Sequence, residues 1–204
     1  MRSPLILLIS APSGAGKTTV GDALLQETPQ LRRVITCTTR APRPGEVAGV
    51  DYHFFQPDDF AERVGRHEFL EHATVYDRSY GTLKSGVLDQ LSTGKDALLI
   101  IDVQGAASVR AAANSDPLLS RALVTVFLSP PTLGELEARL RGRGGDPEES
   151  LQRRIQSARA EAARWREFDY LVISGSRVED LRRIHAIYEA ESLRCDRQKF
   201  QFAD

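Results

Sequence analysis

The segment Ala11-Pro12-Ser13-Gly14-Ala15-Gly16-Lys17-Thr18 carries the sharpest chemical signal in the sequence. A phosphate-binding loop asks for Gly, four residues, then Gly-Lys-Ser/Thr. Gly16-Lys17-Thr18 meets the end of that pattern, and Ala11 stands where its first Gly belongs. Gly14 and Gly16 permit backbone angles and a closeness of approach that a Cβ forbids. Successive N–H groups then face one anion at the positive end of the helix that follows. In that arrangement Lys17 reaches the β- and γ-phosphates of a nucleoside triphosphate, and the Thr18 hydroxyl ligates Mg2+. The plain alternative is a Gly-rich turn with an exposed lysine. A strand before the loop and a helix after it decide between the two.

Such a loop names a phosphoryl donor and says nothing of an acceptor. Arg40 and Arg43 lie three apart on a segment stiffened by Pro42 and Pro44. Two guanidinium forks on a rigid turn suit one phosphate dianion, and the phenols of Tyr52 and Tyr80 can complete the clamp. Taken singly, each arginine reads equally well as a solvated charge. Eight more arginines fall between Arg139 and Arg166, and Asp146, Glu148, Glu149 and Glu161 offset only part of their charge. His53, His67, His72 and His185 show no metal-ligand spacing, and Trp165, Phe54, Phe55 and Phe69 read as packing residues.

These groups need elements to hold them. Leu5 to Ile9 is a continuous apolar run, the mark of a strand buried on both faces in a parallel sheet. Leu98–Ile101, Leu123–Leu128 and Tyr170–Ile173 share that character. Helical spacing marks Thr18–Gln26, Thr132–Arg141, Glu148–Arg166 and Val178–Leu193. Strands alternating with helices predict an α/β fold with a parallel sheet. Between residues 34 and 90 the rhythm breaks into short β-like pieces (Val34–Thr38, Asp51–Phe55, Phe69–Thr74), read as a small mixed lobe inserted into the core. Gly142 to Pro147 is Gly-rich and charged, and reads as the tip of a mobile flap.

The 204 residues suit a single domain with an inserted lobe. Hydrophobic residues at 41% provide for a packed core. A net charge of −1 argues against a general nucleic-acid coat. Only four of the 27 basic residues are lysines, and the 23 arginines suit either genome composition or planar anion recognition. Two cysteines, Cys37 and Cys195, support neither a disulfide framework nor a four-ligand zinc site, and free thiols suit a reducing cytoplasm. No run is long enough to span a bilayer.

Further pieces follow the loop in order: Thr36-Cys37-Thr38-Thr39-Arg40-Ala41-Pro42-Arg43-Pro44-Gly45-Glu46, Gly49-Val50-Asp51-Tyr52-His53-Phe54-Phe55, Glu68-Phe69-Leu70-Glu71, Ser79-Tyr80-Gly81-Thr82 and Ile101-Asp102-Val103-Gln104-Gly105. Through them the chain resembles the guanylate kinase family, from about Leu5 to the C-terminal helix. The resemblance implies a P-loop kinase fold. Its parallel-sheet core (1–33, 91–131, 148–204) has helices on both faces, an inserted mixed α/β GMP-binding lobe (34–90) and a mobile Arg-rich flap (132–147). It implies ATP and GMP as partners, with dGMP a further acceptor, and Mg2+ accompanying ATP at Thr18. Charge, thiols and the absence of a spanning run give the expectation of no nucleic acid, no membrane and a cytoplasmic location, and a monomer and a homodimer both stay open.

By the same resemblance, Ala11, Pro12, Ser13, Gly14, Ala15, Gly16, Lys17 and Thr18 bind ATP. Arg40, Arg43, Tyr52 and Tyr80 hold the GMP phosphate, Glu71 reads the base, Thr36 and Thr82 offer hydroxyls toward its O6 side, and Asp102 joins the GMP-binding residues at the base or phosphate side of the cleft. Guanine presents adjacent N1–H and N2–H donors, and a carboxylate only accepts; adenine lacks that donor pair. Lys17, Arg139, Arg143 and Arg154 meet the triphosphate and the moving phosphoryl group. Two positions depart from the family's habit. Ile100 replaces an acidic residue two before Asp102, and Ser174 replaces an Asn, which predicts looser discrimination of the donor base. The alternatives are a catalytically inactive guanylate-kinase-like binding module and a kinase of a phosphorylated sugar. An intact Lys17 and arginine set speak against the first, and Glu71 with Thr36 and Thr82 against the second.

Overall fold

The computed structural model describes residues 2–75, 77–142 and 147–200. In chain order the elements are β1 (Ile6–Ser10), α1 (Lys17–Glu27), β2 (Leu31–Arg33), β3 (Cys37–Thr38), β4 (His53–Phe54), α2 (Pro57–Gly65), β5 (Phe69–Val75), β6 (Arg78–Leu83), α3 (Lys84–Ser92), β7 (Asp96–Ile100), α4 (Val103–Asn114), α5 (Pro117–Ala122), β8 (Leu123–Ser129), α6 (Leu133–Arg141), α7 (Glu148–Ala162), β9 (Tyr170–Ile173) and α8 (Arg177–Ser192).

Every side chain of β1 is buried, and its four apolar ones alternate between two apolar clusters. Leu7 and Ile9 join Val20 and Leu24 of α1 and Ile184 and Tyr188 of α8. Ile6 and Leu8 join Val87 and Leu91 of α3 and Ala106, Val109 and Ala113 of α4. An unbroken apolar run is what a strand covered on both faces requires. The sheet is parallel throughout, in the order β2-β7-β1-β8-β9, so β1 lies at its centre. Its C-terminal ends share one edge, where the loops after β1, β7, β8 and β9 gather. In open α/β sheets that edge is where ligands bind.

A second sheet, β4-β3-β6-β5, carries the segment between β2 and α3. It is mixed: β3 runs parallel to β4, and β6 antiparallel to both β3 and β5. Phe60 of α2 stacks on Phe69 of β5 at 4.4 Å and closes a small core with Cys37. Helices α6 and α7 form a third cluster, with Leu136 and Leu140 packed on Leu151, Ile155 and Ala158.

The helix expected over Glu148–Arg166 ends at Ala162 and tightens into a 3-10 turn at Ala163–Glu167. That geometry stacks residues three apart. It suits the pairing of Arg164 with Glu167 and the seating of the Arg166 guanidinium 4.2 Å over the Trp165 ring. The tip expected at Gly142–Pro147 has its central residues, 143–146, outside the described residues, and Arg143 is among them.

Candidate active site

The phosphate loop leaves the central strand and turns into α1. Gly14 and Gly16 take φ of +91° and +95°, which explains glycine at both positions. Ala11 is 1% exposed and is not among the positive-φ residues, so the backbone there does not require glycine, and its methyl fills the core. Gly16 caps α1 without a side-chain hydrogen bond, and the first turn holds no acid. A helix start of that kind, with no acid of its own, suits an external anion. Lys17 opens α1, and Thr18 beside it is exposed.

Strand pairing gathers the residues expected to clamp the acceptor phosphate. β3 lies between β4 and β6, which brings together Arg40 beyond β3, Tyr52 before β4 and Tyr80 in β6. The Tyr52 and Tyr80 rings stand 6.5 Å apart, and the Arg40 guanidinium lies 5.4 Å over the Tyr52 ring. Glu46 ties Arg40 and Arg43 together. It accepts two bonds from Arg40, at 2.9 and 2.8 Å, and the Arg43 N–H at 2.7 Å. Its carboxyl is held below the ordinary range, chiefly by the Arg40 bond. The Arg43 side chain stays exposed, and the Thr36 carbonyl accepts the His53 N–H.

Glu71 projects from β5 opposite Thr82 of β6, just past a bulge at Phe69/Glu71. It is 6% exposed and accepts the Thr82 hydroxyl at 2.7 Å, so that proton points at the carboxylate. Burial, opposed by the Thr82 bond and reinforced by Asp102, pushes the Glu71 carboxyl up to about 7. A Cβ at Gly105 would sit 2.9 Å from the Glu71 Oε2, so the first turn of α4 meets the carboxylate only because residue 105 is glycine. Asp102 caps that helix, accepting the Gly105 N–H at 2.7 Å.

Ala11, Ser13, Lys17, Thr74, Asp102, Gln104, Arg154, Ser157 and Glu161 line one cavity of about 370 Å³. The phosphate loop, the strand that bears Glu71, the cap of α4 and one face of α7 therefore open onto a common space. Arg139 of α6 reaches the Ala15 carbonyl and the Ser174 hydroxyl, each at 3.4 Å, and pairs with Glu135. A larger groove of about 580 Å³ lies elsewhere, between α3, α5 and the chain start. Its wall is mostly apolar, with Arg121 and Arg197 its charged groups.

Among the described residues no group of three or more His, Cys, Asp or Glu could hold a metal by itself. The donors near the loop are all oxygens: the Thr18 hydroxyl, with Asp102 and Glu161 in the cavity wall. Few and hard, they fit magnesium that keeps most of its water and arrives with a polyphosphate.

The two departures have physical accounts. Ile100 turns toward the core and packs on α1; a Cβ at Gly21 would sit 2.4 Å from its Cδ1. Ser174 is buried and donates to Asp180 at 2.7 Å. Two residues with a part in this geometry carry no motif of their own. Glu46 follows Arg43 by three in the quoted Arg-Pro-Gly-Glu stretch, where its spacing is a readable sign. Glu161 meets the loop across 148 positions of sequence, and only its two-turn spacing from Arg154 hints at a shared face.

A parallel sheet with a phosphate loop after its central strand, and an arginine-bearing helix pair beside that loop, defines the P-loop kinase class of fold. Residues 1–190 match the protein-family model described as guanylate kinase, and the chain belongs to that family. It is 44% identical over 197 residues to the guanylate kinase of Paramagnetospirillum magneticum, covering 97% of this chain and 89% of that one. It is 45% identical over 193 residues to that of Hydrogenovibrio crunogenus, covering 95% and 91%. Among solved structures, the crystal structure of guanylate kinase from Anaplasma phagocytophilum superposes with a TM-score of 0.76 at 28% identity, covering 97% of this chain and 90% of that one.

Proposed function

We propose that this chain transfers the γ-phosphoryl group of ATP to GMP, and to dGMP, releasing ADP and the nucleoside diphosphate. One observation carries the reading: Lys17 of the phosphate loop and Thr74, three residues along the strand from Glu71, line the same cavity. Asp102 in its wall lies close enough to Glu71 to act on its titration.

In this reading Arg40, Arg43, Tyr52 and Tyr80 hold the GMP phosphate, which faces the γ-phosphate on the loop. Glu71 accepts the guanine N1–H and N2–H, and Thr36 and Thr82 line the O6 side. A GMP phosphate oxygen attacks the γ-phosphorus in line, and the bond to the β–γ bridging oxygen breaks. No general base is needed, because a phosphate monoester with a second ionisation at about 6 is largely dianionic at neutral pH. Lys17, Arg139, Arg143 and Arg154 neutralise charge on the moving group. Magnesium held by the Thr18 hydroxyl would add neutralisation on the triphosphate oxygens. The flap, 132–147, excludes water as a competing acceptor. We further infer action in the cytoplasm, as a monomer or homodimer, on free nucleotides. Support comes from the near-neutral charge and two free thiols, and no helix among the described residues is long and apolar enough to cross a membrane.

A coupled assay of ADP release with GMP, dGMP, AMP and UMP tests the reading. Turnover is expected with GMP and dGMP and strongly reduced with AMP. Equal rates with AMP would remove Glu71 from base selection. No turnover with any nucleotide, with GMP still bound, is the behaviour of a binding module. Lys17→Ala is expected to abolish transfer and to leave GMP affinity near that of the parent chain, measured by titration calorimetry.

A further inference from the structure

We propose that Glu161 is a positioning residue for phosphoryl transfer, pinning helix α7 to the phosphate loop so that Arg154 is held in register over the transfer site. This rests on the transfer reading above.

The Glu161 Oε2 accepts the Ser13 N–H at 2.9 Å. Ser13 lies in the loop itself, immediately before Gly14, so the pin is on the phosphate cradle and not on its flanks. Arg154, Ser157 and Glu161 follow at spacings of three and four, which is one face of a helix, and all three line the cavity with Lys17. The neighbouring face of α7 is committed to packing: Leu151, Ile155 and Ala158 bury against Leu136 and Leu140 of α6. Arg159 ties the helices again through Glu137 of α6.

The pair grips the loop at successive points. Arg139 of α6 reaches the Ala15 carbonyl, Leu140 lies against Gly14, and Glu161 of α7 takes the Ser13 amide. Apart from the Glu161 pin, hydrophobic packing on α6 and the exposed Arg159–Glu137 pair set the azimuth of α7, and contacts of that kind permit small sliding. A hydrogen bond to a fixed amide does not. From Glu161 to Arg154 is seven residues, about 10 Å along the helix axis. Small rotations at an unpinned end therefore become displacements of the guanidinium on an ångström scale. Phosphoryl transfer depends almost wholly on placement of charge, and a misplacement of that size costs on the order of 100-fold.

The Glu161 carboxyl is held above the ordinary range, first by burial, with the Ser13 amide and Lys17 pulling down and Asp102 pushing up. Those charges set a competing expectation. A carboxylate that merely stood in for a phosphate oxygen would oppose ATP, and its removal would tighten ATP binding.

Steady-state kinetics on the full chain separate the two. Glu161→Ala is expected to lower kcat about 10- to 100-fold, with KM for ATP and for GMP each moving less than about threefold. Glu161→Gln, whose Oε1 still accepts the Ser13 N–H, is expected to recover most of that loss. In an Arg154→Ala background, Glu161→Ala is expected to cost little more, because the pin acts through Arg154. An unchanged kcat in Glu161→Ala, a lower KM for ATP, a Gln variant as slow as the Ala variant, or full additivity with Arg154→Ala would each overturn the proposal. If Glu161→Ala does not fold, Glu161→Asp, which draws the acceptor back by one methylene, takes its place under the same criteria. A parent chain without GMP turnover would instead be a failure of the transfer reading.

Discussion

Replacing Glu71 by Gln should make the protein more stable and less able to bind GMP, and the gain should depend on pH in one direction only. In the folded chain this carboxyl titrates at about 7, against 4.5 for an ordinary glutamate, and burial is the main cause. Below pH 4.5 it is protonated in both folded and unfolded chains, and its burial carries little electrostatic penalty. Above 7 it is ionised in both, and the folded chain bears the cost of a desolvated charge. Stability is therefore lost as pH rises through that window, by on the order of 3 kcal/mol for a gap of about 2.5 pH units. Glutamine keeps the shape and an oxygen for the Thr82 hydroxyl, and it does not titrate. Urea unfolding of both chains at pH 4.5, 6 and 8 should show no advantage for the variant at the first, a partial one at the second and up to about 3 kcal/mol at the third. An advantage of equal size at all three pH values, or none at pH 8, would refute the account. GMP should bind the variant more weakly, since both guanine donors lose a charged acceptor, at about 2 kcal/mol for each such bond.

Gly105→Ala should raise KM for GMP several-fold and leave KM for ATP nearly unchanged, because its Cβ displaces the Glu71 carboxylate and not the phosphate loop; equal effects on both would argue for general damage to α4. Glu46→Gln should likewise raise KM for GMP, since Arg40 and the Arg43 amide lose their common carboxylate, and the test is whether kcat at saturating GMP stays within about twofold. The Cys37 thiol is buried and pushed up to about 12, whereas Cys195 is exposed. A chromogenic disulfide reagent at pH 8 should therefore find one reactive thiol in the native chain and two after unfolding.

Strands with one clear physical demand were legible. β1 and β9 declare themselves as apolar runs, and β9 falls on Tyr170–Ile173 as expected. α4 is not legible in the sequence, because its inner face is made of small residues, Ala106 and Ala113 among them, which give almost no periodic contrast. β6 has no pattern to read, because Arg78-Ser79-Tyr80-Gly81-Thr82-Leu83 alternates nothing by polarity; its pairing with β5 and β3 decides it. α2 had signs that could have been used, with Pro57 at its first position and Asp58 and Asp59 in its first turn. At the site, residue types announced phosphate and guanidinium chemistry, as at Lys17 and Arg40. The residues that hold those groups still were hidden, because a bond such as Ser13 to Glu161 is a property of the folded chain.

The contact of Ile100 with Gly21 limits how this sequence can change. An acid introduced at position 100 would set an unpartnered charge against α1 and leave a gap above Gly21. A larger residue at 21 would strike the isoleucine that is there now. Either step alone requires the facing side chain to shift, so the two sites constrain each other. An acid at position 100 is therefore best accommodated with a matching change at 21, or by way of a small neutral side chain at position 100.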